Sequence, residues 1–255
     1  MKLNLDVVIL CGGEGKRLKA LVKNIPKVMV KVNGMPFLRI LIDYFKKFGC
    51  RRFILCVGHK KDIIKNYFSS YKDGRTQIIF SEEDNLLGTG GALRNAYDFI
   101  KTGNLFVSNG DSFFGINIRN FYKFHIIKKA DISIAITKKS GKRFGMIIKD
   151  ETGRVRNFRE KVKNANGFIN GGIYIFKKEI IKLIPKRKNS LELDFFSKVI
   201  SKKRIYGYFE EAPFIDIGIP SSYKKAGRFF KEITEKWVIL GVLLGQSLFQ
   251  IKQNY

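Results

Sequence analysis

The chain opens on Val7-Val8-Ile9-Leu10, an unbroken apolar run that ends in glycines. Such a run predicts a short parallel strand buried on both faces. Beyond it Phe37, Ile40, Leu41, Tyr44, Phe45 and Phe48 recur at spacings of three and four, one stripe of an amphipathic helix with Gly49 as its stop. Residues 53–57 then read as strand, 62–68 as helix, 77–80 as strand, 91–100 as helix and 105–108 as strand. Strand alternating with helix builds right-handed crossovers and a mostly parallel sheet.

The second half changes character. Stretches 132–137, 145–149, 154–158 and 168–176 are strand-like with Gly, Lys and Asp turns between them, and 192–200 and 221–233 read as closing helices. The expected fold class is α/β: a Rossmann-like, mostly parallel sheet flanked by helices, extended by a smaller antiparallel lobe. One domain is expected over residues 1–233, with residues 234–255 as an apolar tail. Val238-Ile239-Leu240-Gly241-Val242-Leu243-Leu244 falls far short of the roughly 18 apolar residues of a spanning helix, so a packed or dimer-forming segment is expected there.

Composition narrows the class. At 45% hydrophobic and 13% aromatic residues the chain can bury a large core, which excludes disorder. Cys11, Cys50 and Cys56 form no C-x-x-C pair, which argues against a disulfide scaffold and against a zinc site. The first apolar run is too short for a signal peptide, so a cytoplasmic location is expected. A net charge of +27 invites a polyanion partner. The lysines are dispersed from Lys2 to Lys252, however, without aromatic interleaving, so a solvated basic surface is expected rather than a specific nucleic-acid site.

Candidate chemistry begins at Leu10-Cys11-Gly12-Gly13-Glu14-Gly15-Lys16-Arg17-Leu18, directly after the first strand. Glycines there bring backbone N–H groups close to phosphates, and Lys16 and Arg17 add charged donors. Taken alone the segment reads equally well as a tight turn. Asp111 follows an apolar strand at its carboxyl end, where open α/β sheets bind ligands, yet an Asx turn is as natural a fate. Asp216, before a Gly-Ile-Pro turn, equally suits a helix cap. Lys27 alone is an ordinary lysine. Glu82-Glu83-Asp84 is either a solvated acidic loop or a carboxylate acceptor for guanine's N1–H and amino group. Ser190-Leu191-Glu192 equally opens a helix.

The order of motifs weighs more than any one of them. Pro26-Lys27-Val28-Met29, Leu87-Gly88-Thr89-Gly90-Gly91-Ala92, Asn109-Gly110-Asp111, Glu160-Lys161, Asn170-Gly171-Gly172-Ile173-Tyr174 and Phe214-Ile215-Asp216-Ile217-Gly218 follow the first loop in turn. In this the chain resembles the sugar-1-phosphate nucleotidyltransferase family, and within it the heptose 1-phosphate guanylyltransferase branch. The resemblance implies transfer of a nucleotide from a nucleoside triphosphate, GTP first, to a sugar 1-phosphate, with Mg²⁺ held by Asp111 and Asp216. It implies nucleotide binding by Leu10, Gly12, Gly13, Gly15, Lys16, Arg17, Lys27, Gly88, Thr89 and Asp111, with Arg17, Lys27 and Asp111 catalytic. Gly145, Glu160, Lys161, Asn170 and Gly171 fall on the sugar-phosphate side, and Glu192 also faces the sugar. Lys16, Ala20 and Val28 depart from the family's usual residues. Other bases and sugars, or a non-catalytic nucleotide-sugar-binding subunit, are the alternatives.

Overall fold

The computed structural model describes residues 2–18, 24–71, 73–140, 146–159 and 166–239. Strands β1 (Asp6–Leu10), β2 (Lys31–Val32), β3 (Met35–Pro36), β4 (Arg52–Val57), β5 (Gln77–Glu82) and β6 (Asn104–Asn109) lie in the first half, with helices α1 (Phe37–Lys47), α2 (Lys61–Ser69) and α3 (Gly88–Asn95). The second half holds β7 (Ser112–Phe114), α4 (Ile118–Ile127), β8 (Ile132–Ser140), β9 (Met146–Lys149), β10 (Val155–Arg159), β11 (Asn166–Lys177), α5 (Lys178–Ile181), α6 (Ser197–Val199), β12 (Ile205–Phe209), β13 (Phe214–Asp216) and α7 (Pro220–Ile239).

β1 lies between β4 and β6, parallel to both, and β5 extends the sheet beyond β4. Val7 and Ile9 join one apolar cluster with α1 and α7, while Val8 joins the other with Ile54 and α3, so the run is apolar because both of its faces are covered. α1 buries Phe37, Leu38, Ile40, Leu41, Tyr44 and Phe45 and ends on Gly49 at φ +100°. A side chain at Gly49 would stand 2.9 Å from the Leu3 nitrogen, so both space and backbone demand glycine there. The antiparallel strands are not detached: β11 pairs antiparallel with β6 and carries β8 and β9 into the same sheet.

Several elements differ from expectation. α4 interrupts a stretch that the pattern left blank; Asn117 caps it by accepting from the Arg119 and Asn120 N–H groups, and Ile118, Phe121 and His125 form its buried face. β12, parallel to β8, is likewise an addition. The helix expected over 192–200 is a π-helical turn, Leu191–Phe196, followed by the single turn of α6.

His125 is fully buried on α4. Its Nδ1 lies 2.9 Å from the Ser133 hydroxyl, and Nε2 has no partner among the described residues. Burial pushes its pKa down to about 4, Lys177 adds to the depression and Asp131 opposes it. An unfolded histidine titrates near 6.5, so on acidification the unfolded chain takes the proton first and stability drains between those two values, by roughly 3 kcal/mol in full. Urea unfolding at pH 7 and pH 4.5 checks this: the wild type is expected to lose roughly 2–3 kcal/mol more than His125→Leu.

Candidate active site

At β1 the strand order departs in both directions, to β4 on one side and β6 on the other, and crevices outside such points bind ligands. The cleft there has a volume of about 360 Å³. Leu10, Cys11, Gly12, Gly13, Gly15, Lys27 and Val28 line it from the loop after β1, Glu83, Leu86, Gly88, Thr89 and Ala92 from the segment leading into α3, and Asn109, Gly110 and Asp111 from the end of β6. Arg17 is exposed on the turn after the first loop; the side chain of Lys16, and all of Gly145, Glu160, Lys161 and Ala20, lie outside the described residues.

Asp111 and Asp216 meet through a strand pair that the sequence does not announce. β7 and β13 run antiparallel with Asp216 opposite Ser112, and the Ile217 N–H donates to the Asp111 carbonyl at 2.9 Å. The turn contacts of the simpler reading are also present, since Asp216 Oδ1 accepts from the Gly218 N–H at 2.5 Å and Asp111 Oδ1 from the Ser112 hydroxyl at 3.2 Å. Asp111 keeps Oδ2 for the Lys27 ammonium, with which it forms an ion pair.

The motif glycines serve the protein's own packing as much as a ligand. A side chain at Gly110 would stand 2.6 Å from the Leu10 carbonyl and 2.9 Å from Val28 Cγ1, so glycine lets the loop after β6 lie flush against the end of β1. Gly88, at φ +72°, has the Asn189 carbonyl 2.6 Å from where its side chain would begin, and that carbonyl also accepts from the Gly90 and Gly91 N–H groups. The start of α3 is therefore held by the chain at Asn189. Gly110→Ala is expected to cost about 1–3 kcal/mol, the usual range for forcing an extra methyl into a filled site, and a thermal melt or urea titration measures it.

Against Asn109 and Ser112, the Asn170-Gly171-Gly172 motif coincides with a register shift in β11, with Gly172 at φ +76°. The shift leaves Asn170 donating to the Tyr174 hydroxyl at 2.6 Å, and that hydroxyl donates to Glu192 Oε1 at 2.7 Å. Glu192 Oε2 accepts from the Thr89 and Ser190 hydroxyls, both at 3.2 Å. A continuous hydrogen-bonded chain thus joins the first turn of α3 at Thr89 to β11. Gly171 lacks a side chain because the Phe114 ring and the Ala135 carbonyl fill its space.

The acidic triplet divides in three. Glu82 pairs with Lys61 and Lys65 at the surface, and the Asp84 side chain is 96% exposed. Glu83 is 6% exposed and lines the cleft. Its Oε2 accepts from the Leu87 N–H at 2.9 Å, its Oε1 has no partner among the described residues, and burial raises its pKa. Tyr174, Asn109 and Lys188, which sits at the rim, carried no separate signal: Tyr174 and Asn109 stood inside motifs read for their neighbours, and Lys188 is one lysine among many.

The chain is similar to known proteins along most of its length. The family pattern described as nucleotidyl transferase matches residues 6–233. D-glycero-alpha-D-manno-heptose 1-phosphate guanylyltransferase of Aneurinibacillus thermoaerophilus is 38% identical over 224 residues, 87% of this chain and 96% of that protein. Its counterpart in Campylobacter jejuni is 36% identical over 86% of this chain and 97% of its own length. The crystal structure of HddC from Yersinia pseudotuberculosis, solved also in complex with GMP-PN, superposes with a TM-score of 0.80 at 36% identity, covering 89% of this chain and 99% of that one. The chain belongs to the nucleotidyl transferase family.

Proposed function

We propose that the protein transfers the guanylyl group of GTP to D-glycero-α-D-manno-heptose 1-phosphate and releases pyrophosphate. The observation that carries this reading is one cleft lined by the glycine loop, by Asp111, to which the β7–β13 pair brings Asp216, and by a buried carboxylate, Glu83, whose Oε1 has no partner among the described residues. Guanine offers two adjacent donors, N1–H and the exocyclic amine, that one carboxylate accepts together; uracil and thymine do not. The two heptose 1-phosphate guanylyltransferases matched over nearly their whole length support the same substrates.

The chemistry needs no covalent intermediate. A sugar-phosphate oxygen attacks the α-phosphorus in line, a new P–O bond forms, and the bond to the bridging oxygen breaks with its electron pair leaving on pyrophosphate. A phosphate monoester has a second pKa of about 6 and is ionised at neutrality, so no general base is needed. Positioning and charge neutralisation remain, and Lys27 and Arg17 supply them on the triphosphate and Lys161 on the sugar phosphate. Two aspartates at adjoining strand ends, one already holding an ammonium, form a donor set that suits Mg²⁺, an ion that takes a few carboxylate oxygens and completes its shell with phosphates and water. Asp111 and Asp216 would hold it, and when bound it neutralises charge on the phosphates. A cytoplasmic supply of nucleotide-sugar for surface polysaccharide belongs to the same reading.

Incubation with Mg²⁺, each nucleoside triphosphate and a panel of sugar 1-phosphates, with pyrophosphate as readout, tests the proposal. Release is expected with GTP and the heptose 1-phosphate; activity with mannose 1-phosphate instead keeps the guanylyl assignment and replaces the sugar, while silence with every pair removes the reaction.

A further inference from the structure

Lys27 lines the cleft, but its ammonium is already engaged. Its stem passes Gly15, where a side chain would stand 3.0 Å from Lys27 Cβ, and its ammonium pairs with Asp111 Oδ2. The same ammonium lies beside the turn of the second carboxylate: a side chain at Gly218 would stand 3.2 Å from Lys27 Nζ and 2.6 Å from Asp216 Oδ1. With glycine at both positions, the Lys27 ammonium lies against Asp111 and close to the turn that carries Asp216. The Lys27 side chain is 13% exposed there, which limits its freedom to swing into solvent.

Resting on the metal reading above, we infer that Lys27 is the resident counter-ion of Asp111 and Asp216 in the substrate-free protein, so that divalent metal and triphosphate are taken up together. Two neighbouring carboxylates repel each other, and an ammonium between them removes that repulsion. A divalent ion arriving alone has to displace the ammonium or sit against it, and like charges at contact distance in a partly buried site repel strongly. A triphosphate removes the obstacle, because its oxygens give the ammonium a new anionic partner while bringing further ligands for the metal. One lysine thus serves two anions in turn, a carboxylate before the nucleotide arrives and a phosphate after.

The test is Mn²⁺ binding without nucleotide, followed by electron paramagnetic resonance of free Mn²⁺, on the full chain and on Lys27→Met, Lys27→Arg and Lys27→Met/Asp111→Asn. Lys27→Met is expected to bind one Mn²⁺ at least about tenfold more tightly than the wild type, which is on the order of the effect of one unscreened neighbouring charge. Lys27→Arg, which keeps the charge, is expected to stay near the wild type, and the double variant to lose the gain, placing the ion at the carboxylates. Wild-type protein that binds Mn²⁺ at micromolar concentration without nucleotide overturns the inference with no variant needed. So does Lys27→Met with unchanged or weaker affinity; if the wild type still requires metal for pyrophosphate release, the metal reading survives that result, whereas metal-independent turnover removes both.

Discussion

Asp111→Asn is expected to lower kcat about a thousandfold or more while the protein stays folded. The substitution keeps the shape of the side chain and its acceptance from the Ser112 hydroxyl, and removes the charge that pairs with Lys27. Losing a single preorganised electrostatic group in a site of this kind costs about 10²–10³ in rate, and losing a metal carboxylate costs more. Stability is expected to move little, since a partly exposed ion pair contributes about 0–1 kcal/mol. Turnover from pyrophosphate release and a thermal melt on the same sample separate the two effects. A variant that turns over at near the wild-type rate removes Asp111 from the chemistry; one that melts many degrees lower shows the residue to be structural.

The second large effect is expected at Glu83. In Glu83→Gln one carboxylate oxygen becomes an NH₂ group, a donor where guanine also presents donors. Buried polar groups left facing like partners are costly, so kcat/KM for GTP is expected to fall about a hundredfold or more. A glutamine offers one donor and one acceptor, which suits the N3–H and carbonyl of uracil or thymine, so relative activity with UTP or dTTP is expected to rise. The pH dependence gives an independent check. Burial raises the Glu83 pKa, so the charged acceptor is lost on acidification earlier than an ordinary carboxylate would be. KM for GTP is expected to climb as pH falls through that raised value in the wild type and to stay flat in Glu83→Gln. Equal loss for all nucleotides in the variant removes Glu83 as the base reader.

How far the site could be read ahead of the fold differs from residue to residue. Gly12, Gly13 and Gly15 announce a loop by composition, and their place after a buried strand follows from local pattern alone. Glu83 could be narrowed only to a triplet, because three successive acidic residues give no clue to which one turns inward; the pairing of Glu82 with Lys61 and Lys65 decides it. Asp111 and Asp216 could be paired in sequence only by the order of motifs. The β7–β13 ladder that joins them is three residues on each side, below what periodicity can reveal. Gly88 and Gly171 meet a second requirement that their motifs do not show: the space a side chain would take is filled by the Asn189 backbone and the Phe114 ring.

By itself the sequence determined the elements whose signal is local. The buried parallel strands, the face of α1 and its glycine stop all follow from hydrophobic period and backbone freedom, which act over a handful of residues. The tertiary structure alone decided the contacts that close over long stretches of chain: Ile217 beside Asp216 with Asp111, Thr89 with Glu192, Asn189 with Gly88, and Lys27 with Asp111. Such pairings are set by how the sheet and its crossovers stack, and no neighbour in sequence reports them. α4 escaped for the opposite reason: its buried face includes His125, whose polarity hides the period until the helix is seen packed.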